Sequence, residues 1–397
     1  MELNAPAIKR LIEDCGLYLC QECGKCSASC PRFLSGREYS PRQLAQKLIT
    51  QPGDRAYIDN AVWECLSCGL CEQRCPSNVR FTRFIRELRA ILATDQGLMG
   101  HQAHDGALHS WMRIMTAPDL RQDRLGWLTP ELKTDPQSEV AFFSGCAPYF
   151  DVFFANIKVD TLGQARDAIR LLNFLEITPQ VLANERCCGH DLLWSGDAEN
   201  FAALARLNLQ EFRDRGVKEI VTACPECFQA LGTHLPRVAP GGGIKVTFLL
   251  DLVEREVKKG GISFRPLARR VTYQDPCRLG RMSGRYQGPR DLMAMIPGLE
   301  LAEMANHRQG SICCGNSAFL GCDAYSKRIQ VARLNQARET GAELLVTACP
   351  KCLIHTTCAL RDPVRGQPWS LKPVSLVSLL ADHIQWSPAE TPRRERD

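Results

Sequence analysis

Long hydrophobic runs are missing from this sequence. No stretch of about 18 uninterrupted apolar residues occurs in the 397-residue chain, so no transmembrane helix is predicted. Residues 1–14 carry five charged side chains and no apolar centre, so we expect no signal peptide. The net charge of +5 is small for this length and says little about nucleic acid. We expect a cytoplasmic protein, peripheral at the cytoplasmic membrane only if a partner subunit holds it there.

Cysteine is abundant, with 21 residues. The chain is long enough to bury a hydrophobic core, so it does not need disulfides as staples. Many cysteines without an export signal indicate metal or redox chemistry in a reducing compartment. Three of them, Cys15, Cys322 and Cys358, belong to no motif and are expected to be buried free thiols.

Two runs near the amino terminus, 20–31 and 65–76, have the spacing Cys-x-x-Cys-x-x-Cys-x-x-x-Cys-Pro of bacterial ferredoxins. In that pattern three thiolates hold one cluster, and the cysteine before the proline ligates the other. A zinc ribbon fits poorly because it lacks the third and fourth cysteines. We predict two cubane [4Fe-4S] clusters with crossed ligands: Cys20, Cys23, Cys26 and Cys75 for one, and Cys65, Cys68, Cys71 and Cys30 for the other.

The sequence around these runs predicts helices over 41–50, 54–63 and 81–93. The last has apolar residues on one side and an arginine row on the other, formed by Arg80, Arg83, Arg86 and Arg89. Such a row indicates a solvated face. The alternative is a docking surface for an acidic electron-transfer partner or an anionic membrane.

The remaining ten cysteines form two sets of five that repeat in the same order: a lone cysteine, a Cys-Cys-Gly and a Cys-Pro-x-Cys. The first set is Cys146, Cys187, Cys188, Cys224 and Cys227, and the second is Cys277, Cys313, Cys314, Cys349 and Cys352. Each Cys-Pro-x-Cys follows an apolar β-branched run, which predicts the carboxyl end of a strand, where open α/β sheets hold ligands. The glycine after each Cys-Cys permits a positive φ and close approach to a bulky inorganic core.

Five thiols exceed the four ligands that one zinc ion takes, and adjacent thiols diverge, so they suit two irons of a cluster better than one ion. Zinc sites, disulfides and buried free thiols remain the alternatives. Because the same spacing occurs twice, we do not expect it to be accidental.

The predicted fold is α+β and multidomain. It consists of a helical ferredoxin-like domain (1–94), a linker with ordinary histidines (95–138), two repeated α/β cysteine-rich domains (139–264 and 265–387) and a polar tail (388–397). Strands that alternate with helices imply parallel sheets in each repeat, related by a pseudo-twofold axis. Such a pair would present its two cysteine sites toward a shared cleft.

These motifs resemble heterodisulfide reductase. The ferredoxin runs are similar to its small iron–sulfur subunit and the cysteine-rich (CCG) repeats to its catalytic subunit, joined here in one chain. Related repeats occur in the iron–sulfur subunits of anaerobic glycerol-3-phosphate dehydrogenase and glycolate oxidase. The resemblance covers nearly the whole chain and is weakest over 95–138.

The resemblance implies two noncubane [4Fe-4S] clusters, one in each five-cysteine set, with a disulfide substrate cleaved between them by electrons that arrive through the cubanes. It makes all ten cysteines of these sets candidate catalytic and metal-ligating residues. Candidate donors of protons or hydrogen bonds are the neighbouring side chains His190, Asn316, Arg278 and Lys351.

Two functions remain open. The first is an iron–sulfur disulfide oxidoreductase with a small thiol or disulfide substrate. The second is a non-catalytic electron-transfer subunit of a dehydrogenase or of a quinone-linked membrane complex. The chain has no nicotinamide or flavin fingerprint, so either function needs a protein partner for the electrons, such as a flavoprotein, a hydrogenase or a membrane cytochrome subunit.

Overall fold

A computed structural model describes residues 5–97, 99–362 and 370–386. It is about 51% helical and 10% strand, which confirms the predicted mixture of helices and sheets. The polar tail predicted over 388–397 lies outside the described residues. Within the described ranges, no helix is both long enough and apolar enough to cross a membrane.

The amino-terminal part is helical, as predicted. Its helices are α1 (Ala5–Cys15), α2 (Lys25–Ser29), α3 (Pro31–Leu34), α4 (Pro41–Thr50), α5 (Arg55–Glu64), α6 (Leu70–Arg74) and α7 (Phe81–Gln96). The Ser40 hydroxyl accepts a hydrogen bond from the Gln43 amide at 3.2 Å and caps α4, while the Asp54 carboxylate caps α5 through the Tyr57 amide. Helix α7 packs against α1, and α2 packs against α6.

The arginine row on α7 is not a uniformly solvated face, so that prediction was wrong. Arg89 is completely buried and donates to the carbonyl oxygens of Val62, Cys65 and Trp194. The helix packs on this side against α11 (His190–Ser195) of the following domain. A sequence pattern cannot tell an arginine that faces water from one that faces buried carbonyl groups.

The segment 95–138 is packed into the molecule rather than being an open bridge. It contains α8 (Ala107–Ile114), whose Met112 is fully buried. Further along, Arg124 is buried and its guanidinium donates to Glu185 and to the Gly145 carbonyl, next to Cys146.

The first cysteine-rich repeat has a parallel sheet of order β1-β2-β3. The strands are β1 (Val140–Phe142), β2 (Glu219–Thr222) and β3 (Lys245–Phe248). Besides α11, its helices are α9 (Ala147–Phe153), α10 (Thr161–Phe174), α12 (Ala198–Asp214), α13 (Pro225–Gln229), α14 (Leu235–Val238) and α15 (Leu249–Lys258). A π-helical turn, Ala230–His234, joins α13 to α14.

The second repeat has a parallel sheet of order β6-β5-β7-β8. The strands are β5 (Arg269–Gln274), β6 (Leu299–Leu301), β7 (Leu344–Thr347) and β8 (Lys372–Ser375). The helices are α16 (Gly288–Ala294), α17 (Ala324–Glu339), α18 (Pro350–Leu360) and α19 (Leu376–His383). Strand β6 corresponds in the first repeat to a single parallel bridge between Ala141 and Gln180.

The two repeats form one packed unit. Strand β4 (Ile262–Phe264), at the end of the first repeat, pairs antiparallel with β9 (Ile384–Trp386), at the end of the second. Helix α10 packs against α19, and one hydrophobic core includes buried residues from both sheets. This shared core fixes how the two cysteine sets face each other.

Candidate functional site

All five cysteines of the first set meet in one cavity. Cys146 follows β1, Cys187 and Cys188 lie in the loop before α11, and Cys224 precedes α13, which carries Cys227. The sulfur atoms of Cys146 and Cys187 are 3.6 Å apart. The five side chains line a cavity of about 30 Å³, together with Pro350 and Lys351 from the second repeat.

The second set is assembled in the same way, at the carboxyl ends of β5 and β7. Its members are Cys277, Cys313, Cys314, Cys349 and Cys352, and they pack in one cluster with Leu66, Cys68 and Leu70 of the ferredoxin-like domain. Lys351, between Cys349 and Cys352, lies 2.6 Å from Glu226, between Cys224 and Cys227 of the first repeat. The two Cys-Pro-x-Cys motifs therefore face one another across the boundary between the repeats, while the shared cleft stays a prediction.

The ferredoxin-type cysteines form a buried group and an outer group. A cavity of about 20 Å³ is lined by Tyr39 and by the four crossed partners Cys30, Cys65, Cys68 and Cys71. The Tyr39 hydroxyl is buried beside them with no hydrogen-bond partner among the described residues. The other group lies nearer the surface: Cys23 is exposed and Cys20 precedes α2, while Cys26 lies on α2 and Cys75 directly follows α6, which packs against α2.

The glycine after each Cys-Cys has the predicted positive φ, 75° at Gly189 and 97° at Gly315. The missing side chain of each glycine makes room for a helix behind the loop rather than for the thiols. A Cβ at Gly315 would lie 2.5 Å from Cγ of Gln330 on α17, and one at Gly189 would lie 2.7 Å from the Phe201 ring on α12. These glycines seat the Cys-Cys loops on the helices behind them.

A buried polar cluster fills the space between the two sets. The Lys351 ammonium contacts Asp191 and lies 2.6 Å from Glu226. His190 donates from Nδ1 to Asp191 at 2.9 Å and accepts at Nε2 from Arg278 Nε at 3.0 Å. Three of these side chains come from the first repeat, and Lys351 and Arg278 come from the second.

The charges of this cluster are fixed by their mutual contacts. Burial opposes ionisation, yet the Lys351 ammonium holds the pKa of Asp191 well below its usual range. Burial likewise disfavours the ammonium, but Asp191 and Glu226 raise the pKa of Lys351. Burial lowers the pKa of His190, so this imidazole is neutral and carries its proton on Nδ1.

His190, Asp191 and Glu226 have donor atoms within 4.8 Å of one another, close enough in principle for a metal ion. Lys351 lies among them and already supplies the positive charge. We therefore assign this group to the polar cluster and not to a metal site.

Of the four candidate neighbours named from the sequence, His190, Arg278 and Lys351 lie in this cluster and Asn316 does not. Asn316 is buried beside the second set, and its carbonyl oxygen is 3.7 Å from the Cys313 sulfur. Sequence reasoning missed Asp191 and Glu226. The signal was present, because one follows His190 and the other is the variable residue of a Cys-Pro-x-Cys motif.

The three cysteines outside the motifs differ from one another. Cys15 is completely buried, as predicted, and burial raises the pKa of its thiol to about 11. Cys322 and Cys358 are only partly buried, so the prediction of core thiols was wrong for them. Both lie at the edge of a hydrophobic cluster, and Lys327 Nζ is 2.9 Å from the Cys358 sulfur.

The donor chemistry fits iron–sulfur clusters. All 21 cysteines lie within the described residues, and all are free thiols. Ten of them converge in two groups of five and four line a cavity of their own, a concentration of soft ligands that suits iron–sulfur clusters. Burial raises the pKa of Cys30 and of Cys277 to about 12, so cluster assembly must release protons from these thiols.

Comparisons with protein families agree with this organisation. The family described as a 4Fe-4S dicluster domain matches residues 16–79, and the cysteine-rich domain named CCG matches residues 140–232 and 271–360. The chain is 28% identical over 369 residues to a subunit of the dihydromethanophenazine:CoB–CoM heterodisulfide reductase from Methanosarcina barkeri. That match covers 85% of this chain and 87% of the relative. These domain matches together cover most of the chain, and its relatives are named as iron–sulfur oxidoreductases.

Other relatives have different names. The chain is 26% identical to a subunit of a fumarate reductase (CoM/CoB) from Methanothermobacter marburgensis, over 91% of this chain and 71% of the relative. It is 25% identical to an EtfAB:quinone oxidoreductase from Syntrophomonas wolfei, with 86% of this chain aligned to 56% of that longer protein. The predicted resemblance to heterodisulfide reductase is confirmed, while the relatives carry more than one named activity.

The fold is similar to that of a solved structure. A hypothetical protein from Helicobacter pylori superposes with a TM-score of 0.57 at 12% sequence identity, covering 86% of this chain and 67% of that one.

Proposed function

We propose that this chain reduces a disulfide held between its two five-cysteine sets, with electrons supplied by a partner protein through the ferredoxin-like domain. One observation carries the proposal: both sets are complete and face each other across a buried cluster of proton-bearing side chains. Its relatives named as heterodisulfide reductase subunits support the same activity.

Two kinds of cofactor are assigned under this proposal. Cubane clusters are held by the ferredoxin-type cysteines, and noncubane clusters by the five-cysteine sets. When bound, the clusters would carry electrons one at a time to the disulfide.

The side chains of the polar cluster serve the charge balance of this reaction. Reduction of a disulfide to two thiols takes up two electrons and two protons. The Lys351 ammonium lies away from bulk water, where its charge stabilises the thiolates that form, and the two protons that complete the thiols come from solvent; the neutral His190 keeps its Nδ1 proton in the hydrogen bond to Asp191. Asp191 orients both groups, and Arg278 fixes the tautomer of His190 by donating to Nε2.

A second function is favoured by the same cluster. Lys351, Asp191 and Glu226 are buried and already pair with one another in the space where a disulfide would have to bind. A closed cluster of this kind suits a subunit that only passes electrons to a further acceptor, such as a quinone-linked membrane complex. The relative named EtfAB:quinone oxidoreductase is consistent with that role.

The first test is the iron and acid-labile sulfide content of anaerobically purified protein. Four [4Fe-4S] clusters correspond to about sixteen irons per chain, and two correspond to about eight. A value near sixteen supports the proposal. A value near eight that does not rise on reconstitution contradicts the assignment of clusters to the five-cysteine sets.

The second test separates the two functions. The protein, reduced by an artificial electron donor, is assayed with a panel of small disulfides, and Cys314→Ala serves as the matched variant. We expect turnover in the wild type and none in the variant, which keeps the spectroscopic signals of the ferredoxin-type clusters. A fully loaded wild-type protein that reduces no disulfide of the panel contradicts reduction of those substrates and favours the electron-transfer role.

A further inference from the structure

Side chains from the turn that follows Cys277, in the second repeat, bind the ferredoxin-like domain. The turn after Cys277 binds the loop around Cys68 through two arginines. Arg278 donates from Nη1 to the Ser67 carbonyl at 2.8 Å and from Nη2 to the Ser67 hydroxyl at 3.0 Å. Arg281 donates from Nε to the Cys68 carbonyl at 2.6 Å.

Arg281 joins three segments that carry cysteines. It belongs to the turn of Cys277, it holds the backbone of Cys68, and its Nη1 donates to the Ser311 carbonyl at 2.8 Å, two residues before Cys313. Its Nη2 is buried and has no hydrogen-bond partner among the described residues. Burial opposes the charge of this guanidinium, but the sulfur atoms of the three cysteines raise its pKa.

The first repeat has no arginine at the equivalent positions. The positions that correspond to Arg278 and Arg281, one and four residues after the lone cysteine, are Ala147 and Phe150. Neither offers a charged donor to the ferredoxin-like domain. The pseudo-twofold symmetry of the repeats is therefore broken at the point where the electron-carrying domain docks.

We infer that Arg281 is a positioning residue that makes the second five-cysteine set the point of electron entry, with the first set served only through the second. This inference rests on the proposed function. The guanidinium has two roles: its hydrogen bonds hold Cys68 against Cys277, and its charge favours the reduced, more negative state of the groups bound there. Because electron-transfer rates fall steeply with distance, the tight contact matters as much as the charge.

Two variants of similar size separate these roles. Arg281→Gln keeps one N–H donor but loses the charge, and Arg281→Lys keeps the charge but loses the forked donor. Redox titration of the full chain, followed by electron paramagnetic resonance, measures the potential of the cluster at the second set. We expect Arg281→Gln to lower the reduction equilibrium constant about tenfold, which is about 59 mV for a one-electron couple. Arg281→Lys keeps the wild-type potential.

Hydrogen–deuterium exchange of residues 65–70 reports the docking, and it does not depend on activity. We expect faster exchange in both variants, whereas Arg270→Ala, an exposed substitution on β5 in the same repeat, leaves exchange and potential unchanged. Wild-type potentials in Arg281→Gln, or wild-type exchange in both variants, overturn the inference while the proposed function stands.

The order of the two sets has its own test. In Cys188→Ala, whose first set is broken, a one-electron donor such as titanium(III) citrate still reduces the second set at the wild-type rate. In Cys314→Ala the first set loses its supply, and we expect its reduction to slow at least tenfold. Unchanged reduction of the first set in Cys314→Ala overturns the inference. A wild-type protein with no cluster signal from either set overturns the proposed function instead.

Discussion

Two residues that hold the same place in the two repeats have opposite charges and pair with each other. Glu226 and Lys351 are the variable residues of the two Cys-Pro-x-Cys motifs, and their side chains meet at 2.6 Å between the cysteine sets. The Asp191 carboxylate contacts the same Lys351 ammonium. A buried group of this kind is sensitive to the loss of one member, because the remaining charges have neither water nor a counter-charge.

The first prediction concerns Lys351. Lys351→Met leaves Asp191 and Glu226 buried without their cation, and we expect the free energy of unfolding to fall by about 3–5 kcal/mol. Denaturant unfolding under anaerobic conditions measures the change. The exchanged pair Glu226→Lys with Lys351→Glu recovers only part of the loss, because Asp191 contacts position 351 and its equivalent in the second repeat is Ser317. A Lys351→Met protein as stable as the wild type would show that the ion pair does not hold the interface.

The second prediction concerns pH and His234. Burial, helped by the nearby Arg86 guanidinium, lowers the pKa of His234 to about 3. A histidine whose folded pKa is below its unfolded value of about 6.5 stabilises the fold fully above that pH and loses that contribution as the pH falls toward 3. We expect the wild type to lose about 2 kcal/mol from this group between about pH 6.5 and pH 5.

His234→Gln is the matched variant for this pH effect, since it keeps a polar side chain that does not titrate. Its free energy of unfolding falls less over the same pH range. Parallel pH curves for the two proteins would contradict a buried, neutral His234.

At the scale of elements, the Cys-Cys-Gly loops depend on the helices that follow them. Helices α12 and α17 approach so closely that only glycine fits between each loop and its helix. The sequence predicted the positive φ correctly and attributed the close approach to an inorganic core. The structure assigns it to Phe201 and Gln330, which lie on helices whose packing the loop sequence does not specify.

The third prediction follows from this packing. Gly315→Ala combines a left-handed backbone with a Cβ contact of 2.5 Å, whereas Gly284→Ala at φ 71° has open space around its Cβ. The backbone conformation alone costs about 1–3 kcal/mol in each variant. We expect Gly315→Ala to lose more stability than Gly284→Ala and to retain less iron. Equal losses of stability would show that α17 moves aside without cost.

The helices of the amino-terminal part show what local sequence can and cannot decide. Ser40 with Pro41 predicted the start of α4, and Asp54 the start of α5, because a cap is a contact between near neighbours. The prediction that the arginine row of α7 faces solvent was wrong because Arg89 binds carbonyl groups 24 to 105 residues away in the chain. Only packing against α11 decided which arginine is buried.

At the scale of the whole molecule, the two repeats are tied by their ends. Strand β9 returns from the second repeat to pair with β4 of the first, and Trp386 stacks on Phe174 of α10 with ring centroids 4.7 Å apart. Ile384 of β9 also packs against the core that the two repeats share. These contacts couple the unfolding of one repeat to that of the other.

The fourth prediction tests this coupling by truncation. A chain that ends at His383 loses β9 and its pairing with β4, and we expect a lower midpoint and a less cooperative unfolding transition. A chain that ends at Trp386 is the control, since it keeps the strand and removes only residues 387–397. Identical transitions for the two truncated chains would show that the helix contact between α10 and α19 is sufficient.

The sequence by itself determined the cysteine motifs and their repetition. Spacings within the ferredoxin runs and the Cys-Pro-x-Cys motifs are local patterns, so the motifs could be identified from the order of residues alone. Tertiary structure decided which sets touch. It placed Cys68 against the second set, paired Glu226 with Lys351 and made Arg281 the link between domains. These contacts join residues more than a hundred positions apart, and they depend on the packing of whole elements.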